Sequence, residues 1–328
     1  MIKIGIIGAG RIARVHTRAV AAHPNATLVV VSDPVEEAGT ALAQEYGARW
    51  TPNAEDVISD PEVDAVIICS PTPFHAEQIL AAAKAGKPVL CEKPVAMDVE
   101  TIDQLEKDLE GLDPVVMIGF NRRFDPSFAQ IHDMVSDGTI GKVEQVTIIS
   151  RDPALPSLDY IATSGGIFKD MTIHDFDTAR FFLGDITSIV AIGQHLDPIM
   201  KDTGDYDGVV ITLTNAAGAT ATITNSRHCA SGYDQRLEVF GDRGTLNADN
   251  IRPTTVRLST DTSTDAQDPY LDFFLTRYEA AYSAELSEFL SAIESGRAPS
   301  PSIADGKKAQ LLAEAAEESA RTGTIVRL

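Results

Sequence analysis

Four groups of residues in this chain have types and spacings that could carry chemistry. The first is Gly8-Ala9-Gly10-Arg11-Ile12-Ala13, which follows the apolar run Ile2–Ile7 and opens a helical pattern. Gly8 permits a tight turn. Gly10 lets the backbone approach a pyrophosphate, and Ala13 is small enough for close helix–strand packing. The N–H groups of the helix start, at Arg11 and Ile12, then face the anion at the positive end of the helix dipole. Asp33 ends the next apolar run, about twenty residues on, where a carboxylate accepts from a ribose 2′-OH. It would repel a 2′-phosphate, which favours NAD over NADP. The plainer alternatives are a structural strand–helix turn for the glycines and a turn cap before Pro34 for Asp33.

The second group is Ser70-Pro71-Thr72-Pro73-Phe74-His75, just beyond the strand pattern Ala65–Cys69. That is the carboxyl edge of a parallel sheet, where ligands bind in open α/β folds. Ser70 and Thr72 could reach a cofactor, although Thr72 could equally cap a helix beside Pro73. His75 reads as a satisfied histidine in a first helical turn. The third group, Glu92-Lys93-Pro94, again ends a strand. Lys93 could present an ammonium to a substrate hydroxyl or developing oxyanion, with Glu92 at the cofactor edge. The alternative is a surface lysine paired with Glu92. The fourth group runs from Gly165-Gly166 to Asp177. On a helix, Asp170 and His174 are i and i+4 and share a face, with Asp177 near it. A carboxylate beside an imidazole sets its tautomer and supports a general base. An i,i+4 surface ion pair explains the same spacing.

The elements that must position these groups change character along the chain. Strand runs at Ile2–Ile7, Thr27–Ser32, Ala65–Cys69, Pro88–Cys91 and Val115–Gly119 alternate with helical patterns at Ile12–Ala22, Val35–Tyr46, Ala76–Ala85 and Thr101–Leu109. Near-continuous apolar strands alternating with helices predict a doubly wound parallel sheet covered on both faces. After Phe124–Val135, a helix, and Val143–Ser150, a strand, a helix is expected over Ile167–Leu183. Strands then follow in succession at Ile186–His195, Gly208–Asn215, Thr220–Asn225, Gln235–Phe240, Gly244–Ala248 and Thr254–Leu258. Hairpin turns at Asn215–Gly218 and Gly241–Gly244 make that sheet mostly antiparallel. Helices at Arg277–Ser295 and Ile303–Thr322 and a short Ile325–Leu328 segment close the chain. The fold class is α/β, with residues 1–120 expected as a dinucleotide-binding domain and 121–328 as a second domain.

Composition bounds the partners. The 328 residues carry a formal net charge of −21, which repels phosphate backbones and anionic lipid heads. Nucleic acid and membrane are therefore poor partners, and an anionic cofactor needs a locally built site. The three cysteines make no disulfide framework, and no Cys/His cluster has metal spacing. Cys69 and Cys91 end apolar runs and read as buried thiols. Met1-Ile2-Lys3-Ile4 reads as a strand rather than a leader, and no apolar run approaches membrane length. A cytoplasmic setting is expected.

Taken together, the glycine fingerprint, Glu92-Lys93-Pro94, Gly119-Phe120-Asn121-Arg122-Arg123-Phe124-Asp125 and the Gly165–Asp177 segment resemble the glucose–fructose oxidoreductase / inositol dehydrogenase family. The resemblance spans essentially the whole chain. Arg151-Asp152-Pro153 and Gly165–Arg180 are most similar to the inositol 2-dehydrogenases within it. The resemblance implies an N-terminal Rossmann domain and, over 121–328, a substrate-binding and oligomerisation α/β domain whose large open sheet joins subunits, tetramers more than dimers. It implies Lys93, Asp170 and His174 as catalytic residues, with His174 the proton acceptor. It further implies Asn121, Arg122, Asp152 and Tyr233 as substrate contacts beside those three. The implied reaction is NAD-dependent oxidation of a ring hydroxyl of a cyclitol, myo-inositol before scyllo-inositol, an aldose or another polyol. A non-catalytic NAD-binding sensor, or an enzyme acting on amines or imines, is the reading outside that class.

Overall fold

The computed structural model describes residues 1–328. The first strands and helices are β1 (Ile2–Ile7), α1 (Arg11–Ala22), β2 (Ala26–Ser32), α2 (Glu36–Glu45), β3 (Arg49–Thr51), α3 (Ala54–Ser59), β4 (Ala65–Ile68), α4 (His75–Lys84), β5 (Val89–Glu92), α5 (Val99–Asp108) and β6 (Val116–Gly119). The six strands form one sheet in the order β3-β2-β1-β4-β5-β6, and every pairing is parallel. All four residues of β4, β5 and β6 are buried. Strands without alternation have a covered face on each side, as the sequence predicts. The order reverses between β1 and β4, so the loops after these strands meet at the switch point where ligands bind.

Two compact units emerge: residues 1–124 with 279–311, and residues 125–278 with 312–328. The single division expected at residue 120 thus gives way to a chain that returns to its first unit. The reason lies in the helix Glu279–Ser295. Its Leu286, Phe289 and Leu290 pack into the core with Ile4, Ile6, Val31, Leu42, Ile67 and Leu90.

The second unit contains α6 (Pro126–Ser136), β7 (Val143–Arg151), α7 (Leu158–Thr163), α8 (Ile173–Leu183), β8 (Ile186–Gln194), β9 (Gly208–Asn215), β10 (Thr220–Ser226), β11 (Asp234–Gly241), β12 (Gly244–Ala248), β13 (Arg257–Leu258), β14 (Ala266–Gln267), α9 (Phe274–Arg277) and β15 (Val326–Arg327). Its seven-stranded sheet runs β12-β11-β7-β10-β9-β8-β15. Only β7 and β10 pair in parallel; the rest are antiparallel. Burial alternates along β10, so one face packs on a core with α8 and the other stays open.

Three expectations need correction. Thr254–Leu258 does not extend this sheet: only Arg257–Leu258 is a strand, in a separate ribbon with β14. All five residues are exposed, so no buried face draws them inward. The helix expected from Arg277 is broken at Tyr278, whose ring is buried. The helix expected over Ile167–Leu183 begins instead with a π-helical turn, Phe168–Thr172.

Candidate active site

In the first unit, the glycine loop is held open by backbone geometry. Gly8 sits at φ +102°, and a Cβ there would lie 2.7 Å from the Cys69 carbonyl oxygen, so no other residue fits. Gly10 caps α1 with no side-chain hydrogen bond, and nothing lies within 4 Å of the place its Cβ would take. Open space above uncapped helical N–H groups suits a pyrophosphate. Arg11 is exposed and Ile12 half-buried beside it.

Asp33 takes the turn-cap role and a second backbone contact as well. Its Oδ1 accepts from the Val35 N–H at 2.8 Å, the turn cap. Its Oδ2 accepts from the Ala9 N–H at 2.7 Å, tying β2 to the glycine loop. Each carboxylate oxygen keeps a second lone pair for a ribose hydroxyl. Ser70 donates through Oγ to Gln78 Oε1 at 2.6 Å. Thr72 opens a 3-10 turn, Thr72–Phe74, ahead of α4. His75 is buried, as the plain reading expects. Its ring nitrogens face the Pro94 carbonyl at 2.7 Å and the Ser70 carbonyl at 2.8 Å. Burial pushes the imidazole below its ordinary range, against the pull of these two carbonyls. The ring therefore ties the β4 loop to the residue after Lys93.

Lys93 is half-buried at the end of β5. Glu92 turns inward, 7% exposed, and its Oε1 accepts from His16 Nε2 at 2.7 Å. A Cβ on Gly119 would come within 3.3 Å of the Glu92 carboxyl. Glu285 is fully buried nearby, and neither oxygen has a hydrogen-bond partner. Burial first, then the Glu92 charge, push its carboxyl well above the usual carboxylate range. Asn121 and Arg122 are buried in the turn Asn121–Phe124, and Asn121 Nδ2 has no acceptor within the protein. Burial also pushes the Cys69 and Cys91 thiols up, so both are inert.

In the second unit, Gly165 and Gly166 take φ of +84° and +82° and lead into the π-turn. Asp170 lies within that turn and His174 just after it, in α8. The widened turn means helical spacing alone does not set their relation. Asp170 is instead held from outside the helix. Tyr160 Oη donates to its Oδ1 at 2.8 Å, and Arg227 Nη2 lies 3.9 Å from its Oδ2. The Thr172 hydroxyl donates to Asn225 Oδ1 at 2.6 Å, and Asn225 Nδ2 donates to Asp175 Oδ2 at 2.8 Å. Asp177 is buried. The Asp152 N–H bonds the Ser226 carbonyl at the end of β10. Tyr233 is buried edge-on to Phe273 and Tyr278.

Tyr160, Arg227, Asn225, His16 and Glu285 escape the sequence reading. For two of them a signal exists. Ala221, Ile223, Asn225 and Arg227 share the inward phase of one alternating run, and a polar and a charged residue in that phase mark a site. Tyr160 sits in no periodic pattern. No group of three or more metal-ligating side chains forms in the chain.

A doubly wound dinucleotide-binding unit followed in the chain by a unit built on a mostly antiparallel sheet defines the class: an NAD-binding oxidoreductase. Residues 2–120 match the oxidoreductase family with the NAD-binding Rossmann fold, and residues 128–247 match the GFO/IDH/MocA C-terminal domain. The chain belongs to the GFO/IDH/MocA oxidoreductase family. It is 45% identical to an inositol 2-dehydrogenase of Rhizobium meliloti, over 97% of this chain and 96% of that one. It is 43% identical to a myo-inositol 2-dehydrogenase of Thermotoga maritima, over 99% and 98%. The solved myo-inositol dehydrogenase of Corynebacterium glutamicum superposes with a TM-score of 0.97 at 47% identity, over 100% and 99%. A Lactobacillus casei scyllo-inositol dehydrogenase, solved with NAD(H) and scyllo-inositol, gives 0.92 at 29% identity, over 100% and 98%.

Proposed function

We propose that this chain is an NAD-dependent inositol 2-dehydrogenase, oxidising myo-inositol to the 2-keto product. The observation that carries the proposal is full-length similarity, at 43–45% identity, to proteins named inositol or myo-inositol 2-dehydrogenase, in a chain that has Lys93, Asp170 and His174. His174 accepts the proton of the ring hydroxyl, and Asp170 orients and balances the imidazole. Lys93 donates to the same oxygen and stabilises its developing charge. Bound NAD supplies the hydride acceptor. Asn121, Arg122, Asp152 and Tyr233 receive the remaining hydroxyls. A site built of such groups rejects analogues that leave them unpaired. Gly8, Gly10, Arg11, Ile12, Asp33, Ser70, Thr72 and Glu92 form the cofactor side.

The open face of the second sheet supports a homo-oligomer, a tetramer before a dimer. No helix is long and apolar enough to cross a membrane. Three free cysteines suit a reducing compartment, the cytoplasm. The test is NADH formation with myo-inositol, scyllo-inositol, D-chiro-inositol, glucose, xylose and galactose, each repeated with NADP. Turnover of myo-inositol with NAD and little with NADP is expected. Turnover confined to scyllo-inositol or aldoses would move the substrate. NAD binding with no turnover would favour a sensor.

A further inference from the structure

We propose that Arg227 is a positioning residue for the Asp170–His174 pair, with the Tyr160 phenol as the second clamp on the Asp170 carboxylate. The proposal rests on the reading of His174 as the proton acceptor. It concerns how the pair is tuned, not which substrate it meets.

Arg227 is among the largest fully buried side chains, 1% exposed. A buried guanidinium must be matched by negative charge. Asp205 does this, with its Oδ2 accepting from Nη2 at 3.3 Å. Asp205 is itself fixed, because its Oδ1 accepts from the Ile167 N–H at 2.8 Å. The Arg227 backbone N–H is also anchored, on the Asp207 carbonyl at 2.7 Å. One carboxylate would neutralise the cation. The same Nη2 nevertheless points to a second, Asp170, at 3.9 Å. Asp170 is the outer member, with its side chain 19% exposed against 11% for Asp205. The inner pair therefore sets the guanidinium, and the guanidinium sets Asp170.

The π-turn makes this necessary. Asp170 sits in the turn Phe168–Thr172, where regular helical register does not aim its side chain. Two tertiary contacts do so: the Tyr160 hydroxyl on Oδ1 and the Arg227 cation on Oδ2. The cation has an electrostatic consequence as well. A carboxylate next to an imidazole strengthens its hold on a proton, and a cation on the far side of that carboxylate weakens the effect. The charged groups that face the Arg227 guanidinium are Asp170 and Asp205; the Asp207 carboxylate is turned to the Asp197 N–H and the His228 ring to the Asp197 carboxylate.

The test uses full-length Arg227→Lys, Arg227→Met and Tyr160→Phe proteins, each checked for NAD binding and thermal midpoint. Histidine-labelled NMR follows the His174 titration, with His174→Ala identifying its signal among the seven histidines. In Arg227→Met the His174 midpoint should rise by about 0.5–1 pH unit, and in Arg227→Lys it should stay near the parent value. With the substrate that the turnover panel identifies, kcat should fall roughly 100-fold in Arg227→Met and about tenfold in Tyr160→Phe. KM and NAD affinity should change little. The acid limb of the kcat/KM profile should move up with the NMR midpoint. A folded Arg227→Met protein with an unmoved His174 midpoint overturns the proposal. If Arg227→Met does not fold, unchanged kcat and pH profile in Tyr160→Phe overturn it. Near-normal turnover in His174→Ala refutes the base assignment, whereas the NMR shift alone decides the role of Arg227.

Discussion

At the residue scale, the acidic groups of this chain do unlike things because their surroundings differ. Asp33 bonds two backbone N–H groups and still has acceptor capacity. Replacing Asp33 with Ser should weaken NAD binding about tenfold or more, about 1.4 kcal/mol per decade, and narrow the preference over NADP. Titration by fluorescence quenching measures both; unchanged NAD affinity removes Asp33 from the site. Glu285 is the opposite case, a buried carboxyl without a hydrogen bond. Its folded-state pKa lies well above the unfolded value. Its contribution to stability is therefore fully present below the unfolded value and declines as pH rises toward the folded one. Glu285→Gln does not titrate, so it should gain on the parent protein as pH rises above about 5, by up to about 1.4 kcal/mol per unit. Urea midpoints between mildly acid and mildly alkaline pH report this. A constant difference between the two proteins would mean that Glu285 titrates normally.

At the scale of elements, the Gly165-Gly166 pair, the π-turn and the end of β10 act as one device. The positive φ at Gly166 brings its backbone beside Asp205, and a Cβ there would lie 3.0 Å from Asp205 Oδ1. Gly166→Ala should cost about 1–3 kcal/mol through left-handed strain and displacement of that carboxylate. Gly218→Ala has a similar φ of +84° but open space around it, so it should cost strain alone and spare activity. Thermal midpoints and kcat/KM of the two variants separate these effects. Equal losses in both would mean that the contact with Asp205 contributes nothing. In the first unit, His75 between two carbonyls similarly links the loop after β4 to the one after β5.

At the scale of the whole molecule, the net charge of −21 makes self-repulsion appreciable, yet the second sheet leaves two neighbouring apolar side chains, Ile192 and Val210, exposed on one face. Ile192 pairs with Val210, Val210 with Thr224, and Thr224 with Ile149. Ile192 is 64% and Val210 39% exposed. A subunit interface on this face is expected to give a light-scattering mass that is a multiple of 35.1 kDa. Ile192→Lys combined with Val210→Asp should lower that mass with the far-ultraviolet CD unchanged. A monomeric parent protein removes the oligomer from the proposal, and an undisturbed mass in the variant moves the interface elsewhere.

The order of most strands and helices, the glycine loop after the first strand, and the positions of Lys93 at the end of a strand and of His174 on a helix were legible in the residues. Local periodicity fixes whether a segment has one buried face or two, and the motifs depend on backbone turns that only certain residues can make. Short segments such as β3 and α3, and the broken helix at Tyr278, were not legible, because too few residues carry a period. The return of Glu279–Leu311 to the first unit was hidden as well, since an amphipathic helix does not name the core it will enter. The same holds for the groups that tune the site. Arg227, Asp205 and Tyr160 come from three separate stretches, and nothing local joins them to Asp170. The sequence alone determined which side chains can handle a proton and an anion. Only the tertiary structure decided which buried charges surround them, because a charge buried in the core is matched by whatever partner folding delivers, however distant in the chain.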